Sequence, residues 1–363
     1  WNTVSSPNGG SEYNNILTGV VALSAKNVWA VGYYSYNSGS SQAALIEHWN
    51  GTKWSLVFSP NIGTGKTILS GVARIPGSGQ LWAVGSYTNN SNVSQTLVEY
   101  WNGTNWSIVS SPNLGSGGDY LDGVVALSTN DVWAVGYYYT DSYDEYTQTL
   151  TEHWDGTSWS IISSPNPGSH DNYLYGVARV PGTTQVWAVG YSYNISGPPT
   201  QTLIEQWNGT SWTVVPSSNV GSGNNILFGV TAISANSIWA VGDYNNSGES
   251  GSQTLIEQWN GTSWNTVPSP NAGSAYNYLF GVVTVSANNI WTVGSYNNSG
   301  VPSQALIEQW NGTAWNIVSS PTIGLAASLS AVVRVPATSQ AWAVGSYNND
   351  SNSPSQTLTE FYC

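Results

Sequence analysis

Short apolar runs alternate with turn residues along the whole chain. No stretch keeps a 3.6-residue apolar period with helix caps, so the pattern predicts strands and no helices. One period shows the plan: Leu174 to Val180 is an apolar, β-rich run, and Pro181-Gly182 opens a turn. Val186 to Tyr191 is a second strand, and a Gly/Pro/Ser loop follows from Asn194 to Thr200. Gln201 to Trp207 forms a third strand and Ser211 to Ser217 a fourth. Between them, Asn208-Gly209 predicts a two-residue type I′ hairpin with positive φ at both positions. Apolar side chains occupy both faces (Leu203 and Trp207 on one, Ile204 on the other), so each sheet is expected to be covered on both sides.

The same plan recurs seven times. The phrase W-x-x-V, with Ile for Val in the copy at Trp159, begins at Trp1, Trp54, Trp106, Trp159, Trp212, Trp264 and Trp315, with spacings of 53, 52, 53, 53, 52 and 51. A second series, W-[AT]-V-G, holds Trp29, Trp82, Trp133, Trp187, Trp239, Trp291 and Trp342. The third holds Trp49, Trp101, Trp154, Trp207, Trp259 and Trp310, with Tyr362 in the seventh copy. All 20 Trp fall in these series, so none is left for a private active site. Four short antiparallel strands in each of seven repeats describe propeller blades. The predicted fold is all-β, a single seven-bladed β-propeller over residues 1–363. No copy carries the polar outer face that the end of an open solenoid requires.

The phase of the two ends supports a closed ring. Trp1-Asn-Thr-Val-Ser-Ser-Pro matches the fourth strand of other copies, and Thr357-Leu-Thr-Glu-Phe-Tyr362 matches a third strand. The seventh blade is therefore expected to comprise residues 326–362 plus 1–7, which removes two exposed sheet edges. The same segment can instead complete a blade of another molecule and build oligomers or filaments.

Composition narrows the function classes. Six Lys plus Arg against 19 Asp plus Glu give a net charge of −13, so electrostatic attachment to nucleic acid or an anionic membrane is excluded. No apolar run is long enough to insert in a membrane. Aromatic residues make up 13% of the chain, far too much apolar area for a disordered one. There is no Met, residue 1 is Trp, and Asn, Ser, Thr, Gly and Tyr dominate; the expectation is a secreted or cell-surface chain that has lost its signal segment. Cys363 is the only cysteine, so there is no internal disulfide framework.

The phrase L-x-G-V-x-A-x-S…V-W-A-V-G-Y…Q-T-L-I-E-x-W-N-G-T-x-W-S-x-V-S-S-P-N resembles the Trp-rich, kelch-like propeller repeats of secreted bacterial proteins. The resemblance spans the whole chain and implies the fold and an extracellular setting, not an activity. One Gly follows W-A-V here, as at Gly32, Gly85 and Gly136, where kelch repeats carry a Gly-Gly doublet.

Candidate chemistry is sparse. Glu47, Glu99, Glu152, Glu205, Glu257, Glu308 and Glu360 occupy one repeat position. With too few cations to pair them, they are expected to take indole N–H, hydroxyl or backbone donors and to tie each blade to its neighbour. Arg74, Arg179 and Arg334 invite comparison with the arginine triad of sialidases. All three track one variant of the first hairpin turn, and the Ser-x-Asp-x-Gly box is missing, so their origin is expected to be structural. His48 and His153 share a repeat position with Tyr100, Gln206, Gln258 and Gln309, and His170 has no partner for a zinc site. Asp141, Asp144 and Glu145 crowd one loop, with Asp119 and Asp122 assigned to another, and Ca²⁺ remains a candidate there without a regular ligand spacing. No cofactor is otherwise implied, and no nucleophile elbow, phosphate loop or dinucleotide fingerprint is present.

The variable segments are the fourth-to-first and second-to-third connections, which emerge on one face rich in Tyr, Asn, Ser and Gly. Tyr13, Tyr36, Tyr120, Tyr139, Tyr143, Tyr146, Tyr173, Tyr193, Tyr276 and Tyr278 are the candidate ligand-binding residues, since flat amphipathic rings beside amides suit sugar recognition. Asn89, Asn92, Asn194, Asn245, Asn297 and Asn349 lie in predicted exposed loops and are the candidate glycosylation sites. The expectation is a non-catalytic extracellular binding or adhesive module recognising glycans multivalently. The alternative is a filament subunit joined by N-terminal strand exchange.

Overall fold

The computed structural model describes residues 1–363 apart from 11, 38, 61, 64, 142–145 and 196–198. Each repeat forms a four-stranded antiparallel sheet, and the seven sheets make an all-β, seven-bladed propeller with no helix among the described residues. Strands Asn15–Ser24, Thr67–Arg74, Asp119–Ser128, Asp171–Arg179, Asn225–Ser234, Tyr276–Ser286 and Ala326–Arg334 stand innermost in their blades. Each packs beside the inner strands of both neighbouring blades, first against last included, around a central channel.

The last blade closes as its sequence phase requires. Asn2–Val4 pairs antiparallel with Gln356–Tyr362 in the register Asn2↔Phe361, Thr3↔Glu360 and Val4↔Thr359. Thr359 Oγ1 donates to the Val4 carbonyl at 2.6 Å, and Asn8 Oδ1 accepts from Thr357 N at 2.9 Å. That second bond belongs to the repeat. Asn113, Asn166, Asn219 and Asn271 take the amides of Thr96, Thr149, Thr202 and Thr254, which fixes the Asn of S-P-N (S-S-N at Asn219) as the clasp of the third strand.

Tryptophan joins the blades. The W-A-V-G indole of one blade packs on the two indoles that flank the third-to-fourth turn of the next. Trp82 meets Trp154 with ring centroids 5.0 Å apart and Trp159 edge-on at 5.3 Å. The set closes through Trp291 against Trp1 and Tyr362, and through Trp342 against Trp49 and Trp54. Such edge-to-face contacts add roughly 0.5–1.5 kcal/mol each beyond the area they bury.

Two glycines in each of the first six repeats answer to close backbone approach, and Ala331 takes the second place in the seventh. A Cβ on Gly190 of W-A-V-G would sit 1.9 Å from the Tyr173 carbonyl oxygen. One on Gly176 of L-x-G would sit 2.6 Å from the Phe228 carbonyl of the next blade. The residue before that second glycine is left out of the ladder, as the shift between Leu174 and Gly176 records. This bulge recurs in every blade and places Thr18, Ser70, Asp122, Tyr175, Phe228, Phe280 and Ser330 at one level of the channel.

Two local expectations are corrected. The Asn-Gly turn is not a two-residue type I′ hairpin. Trp207 pairs with Trp212 across a four-residue loop, only Gly209 has positive φ, and Asn208 Oδ1 accepts the amides of Thr210 and Ser211. The repeat glutamates are fully buried, yet the indole N–H groups do not reach them: Nε1 of Trp54, Trp82 and Trp106 is buried without a partner. Ser59, Ser111 and Ser320, each in the linker from the preceding blade, donate to Glu99, Glu152 and Glu360. Ser217 and Ser269 turn to Thr202 and Thr254 instead, and leave both oxygens of Glu257 and Glu308 unmet.

Candidate functional site

The inner strands alternate, so residues two apart share the channel face. At the mouth between the fourth-to-first and second-to-third connections, blades three to six place aromatic side chains there, while the others place Ile, Ser and Thr. Tyr120 stacks on Tyr137 at 4.9 Å, its register partner, and Tyr137 lies 4.4 Å from Tyr173 of the next blade. Tyr173 stacks on Tyr191 at 4.7 Å and on Tyr175 at 5.9 Å. The series continues through Phe228, Phe280 and Tyr278 to Tyr276, with centroid separations of 5.4, 5.4, 5.9 and 6.0 Å. These rings are half-buried, and Tyr276 is exposed. Across the channel the matching positions hold Thr18, Ser70 and Ser330, so the arc covers four of seven blades.

The arc has an internal polar edge. The hydroxyls of Tyr139, Tyr173, Tyr191 and Tyr175 are linked by hydrogen bonds. Burial, then neighbouring charge, pushes Tyr173 and Tyr191 up to about 12 and Tyr137 and Tyr175 further, so all stay neutral donors at physiological pH. Asp122 sits at the bulge of blade three beside Tyr137 and Tyr175, and its Oδ2 is buried with no hydrogen-bond partner. Asp243, in register with Ile226 one blade beyond Tyr175, has Oδ1 in the same condition. Burial raises both carboxyls to about 7. The arrangement offers aromatic faces, neutral phenol donors and two carboxyls poised between charge states.

Of the ten candidate tyrosines, Tyr120, Tyr139, Tyr173, Tyr276 and Tyr278 belong to this arc. Tyr146 and Tyr193 flank His170, at 4.8 and 5.5 Å, on its outer rim. Tyr13 and Tyr36 lie in blade one, apart from the arc, and Tyr143 lies outside the described residues. Seven of the ten are strand residues rather than loop residues, Tyr36, Tyr193 and the five of the arc. The fourth-to-first loops are also pinned, because Asn15, Asp119, Asn172, Asn225 and Asn277 are buried beneath them and accept loop amides. Tyr137, Tyr175, Tyr191, Phe228, Phe280 and Asp243 were not candidates. For Tyr175, Phe228 and Phe280 a signal was present, since the x of L-x-G varies from Thr and Ser to Asp, Tyr and Phe inside an otherwise constant phrase, whereas Tyr137, Tyr191 and Asp243 directly follow W-A-V-G.

The remaining candidates separate. Asp119 and Asp122 are strand residues, Asp144 and Glu145 lie outside the described residues, and Asp141 alone represents the calcium loop. Asn92 and Asn349 are exposed, whereas Asn89, Asn194, Asn245 and Asn297 are half-buried, each accepting a backbone amide. His48 and His153 lie against Trp29 and Trp133 and contact Asn27 and Asp131. His170 Nδ1 stands 2.8 Å from Asp171 Oδ2 but lacks hydrogen-bond alignment. Arg74, Arg179 and Arg334 all line the opposite mouth of the channel.

No protein-family model matches the chain, and no curated protein matches its sequence. Among solved structures, YCF48 bound to D1 peptide is similar over 100% of this chain and 94% of that one, at 13% identity and a TM-score of 0.56. YCF48 from Cyanidioschyzon merolae is similar over 100% and 99%, at 14% identity and a TM-score of 0.57. Likeness at this identity establishes the fold alone, a seven-bladed β-propeller.

Proposed function

We propose that the chain is a non-catalytic, extracellular binding module that holds a glycan in the aromatic arc at one mouth of its channel. The observation that carries this reading is the contiguous run of rings from Tyr120 to Tyr276 on four adjacent blades, faced by Thr18, Ser70 and Ser330. Sugar C–H faces pack on such rings, while phenol hydroxyls take sugar hydroxyls. The low-Lys composition supports an extracellular setting. Fractionation of the source cells with an antibody to the chain tests it.

A glycan array followed by calorimetry tests the ligand class. Binding that Tyr175→Ala weakens and Ser70→Ala leaves alone supports the glycan; no binding by any glycan removes it. Turnover of the bound sugar would replace the module with an enzyme.

A second reading is a peptide ligand, favoured by the solved neighbour that holds a peptide. Two carboxyls among ring faces suit a Lys or Arg side chain, through charge and cation–π attraction together. Binding of a Lys/Arg-containing peptide in place of any glycan would select it. The filament reading would require Asn2–Val4 to leave its own last blade, and light scattering that finds a monomer argues against it.

A further inference from the structure

We propose that the opposite mouth of the channel is an anion site for a small polycarboxylate, gripped by Arg74, Arg179 and Arg334. These residues hold the same position near the end of the inner strands of blades two, four and seven, in register with Leu81, Val186 and Ala341. The equivalent residues of the other blades are Ala22, Ala126, Ala232 and Thr284, read from the shared register of the W-A-V-G strand. Every arginine is thus flanked on both sides by a small residue. The space left open is a cavity of about 510 Å³ that all three arginines line, walled by valines such as Val72, Val177 and Val333.

The charges here are uncompensated. The chain carries 19 acidic residues, yet among the described residues no carboxylate oxygen comes within 4.0 Å of any Lys or Arg. Arg74 is exposed with no hydrogen-bond partner; Arg179 and Arg334 reach only the carbonyls of Leu127 at 3.5 Å and Thr338 at 2.9 Å. Burial and then the charge of Arg74 hold Arg179 below its ordinary proton affinity. Two arginines repel across this mouth when carboxylates were plentiful. Topology places Lys26 and Lys53 in hairpins at the same end, and Lys66 at the other. Of the described acids outside the repeat glutamates, only Asp131 and Asp155 lie in hairpins at this end. Asp131 contacts His153 and Asp155 holds its own turn.

A guanidinium matches a carboxylate bidentately, three of them call for several anionic groups, and valine walls call for a short aliphatic skeleton between them. Tricarballylate has that shape, and inorganic phosphate and acetate are the controls. Calorimetry at low salt is expected to find tricarballylate bound and acetate bound at least about tenfold more weakly. Arg74→Gln, which loses no contact within the protein, is expected to weaken tricarballylate about tenfold, and the triple Gln variant to abolish binding. Lys66→Gln at the other mouth is expected to change nothing. Failure of tricarballylate to bind, equal binding of phosphate, or full binding by Arg74→Gln would each overturn the proposal. None of these outcomes touches the aromatic mouth, so glycan or peptide binding there stands or falls separately.

Discussion

The two mouths of one channel are built by the same strands and carry opposite chemistry. At one, Tyr120, Tyr173, Tyr175, Phe228, Phe280 and Tyr278 make an aromatic arc with Asp122 and Asp243 among them. At the other, Arg74, Arg179 and Arg334 stand over valines. The scaffold is constant to within a residue per repeat, so the difference lies in a few side chains per blade. Seven copies of one blade make a ring with no preferred side. Substitution at L-x-G and at the last inner-strand position breaks that symmetry separately at each end. Function here is therefore a departure from the repeat, while stability is the repeat itself.

The largest way to break the comparison is to remove what both mouths share. Gly176→Val puts a side chain against the Phe228 carbonyl, where even a Cβ lies at 2.6 Å. It is expected to cost about 3 kcal/mol or more and to distort both mouths, read as a lower unfolding midpoint in denaturant.

Next comes pH, which acts on one mouth and on the blade seams. Burial lifts Glu152, Glu205, Glu257 and Glu308 to about 8, Glu99 and Glu360 to about 7, and Glu47 well above its ordinary range. Asp122 and Asp243 stand at about 7. In the unfolded chain the glutamates titrate near 4.5. Between those values the native state holds more protons than the unfolded one, so stability is greatest on the acid side and falls as pH rises toward 8. Thermal melts from pH 5 to 8 are expected to show a falling midpoint; a midpoint that rises over this range would contradict the buried, neutral carboxyls. A cationic peptide at the aromatic mouth gains affinity from pH 6 to 8, as both aspartates ionise, whereas tricarballylate at the other mouth does not respond to them.

A smaller effect separates the arc from the far wall. Tyr175→Ala is expected to weaken the arc's ligand about tenfold through lost ring contact, with Ser70→Ala neutral. The smallest effects sharpen the boundary. Tyr13→Ala and Tyr36→Ala lie outside the arc and are expected to leave binding unchanged and stability within about 0.5 kcal/mol. Parallel titrations and melts of these variants check both statements.

The blade plan was legible because it rests on local signals repeated seven times. Trp spacing, L-x-G, S-P-N and the phase of Trp1 against Tyr362 each have a short-range cause that the structure repeats. The Asn-Gly turn misled because a four-residue loop capped by the Asn side chain satisfies the same residues as a type I′ hairpin. Tyr137 and Tyr191 follow W-A-V-G, where nothing local marks them as site residues, although their register partners Tyr120 and Tyr173 are candidates. What joins them is a contact across one rung and then across blades. Sequons at Asn194, Asn245 and Asn297 read as free loops, but their side-chain oxygens hold neighbouring loop amides.

Sequence alone determined the ring: period, strand alternation and glycines at close approaches dictate seven blades, whichever residues fill the variable positions. The tertiary structure decided which of those positions meet. Tyr120 and Tyr276 are 156 residues apart yet end one arc, and Arg74 and Arg334 come together from blades two and seven. The physical reason is that inner strands of different blades meet only when the ring closes. Its chemistry is a property of the closed circle, which no single repeat contains.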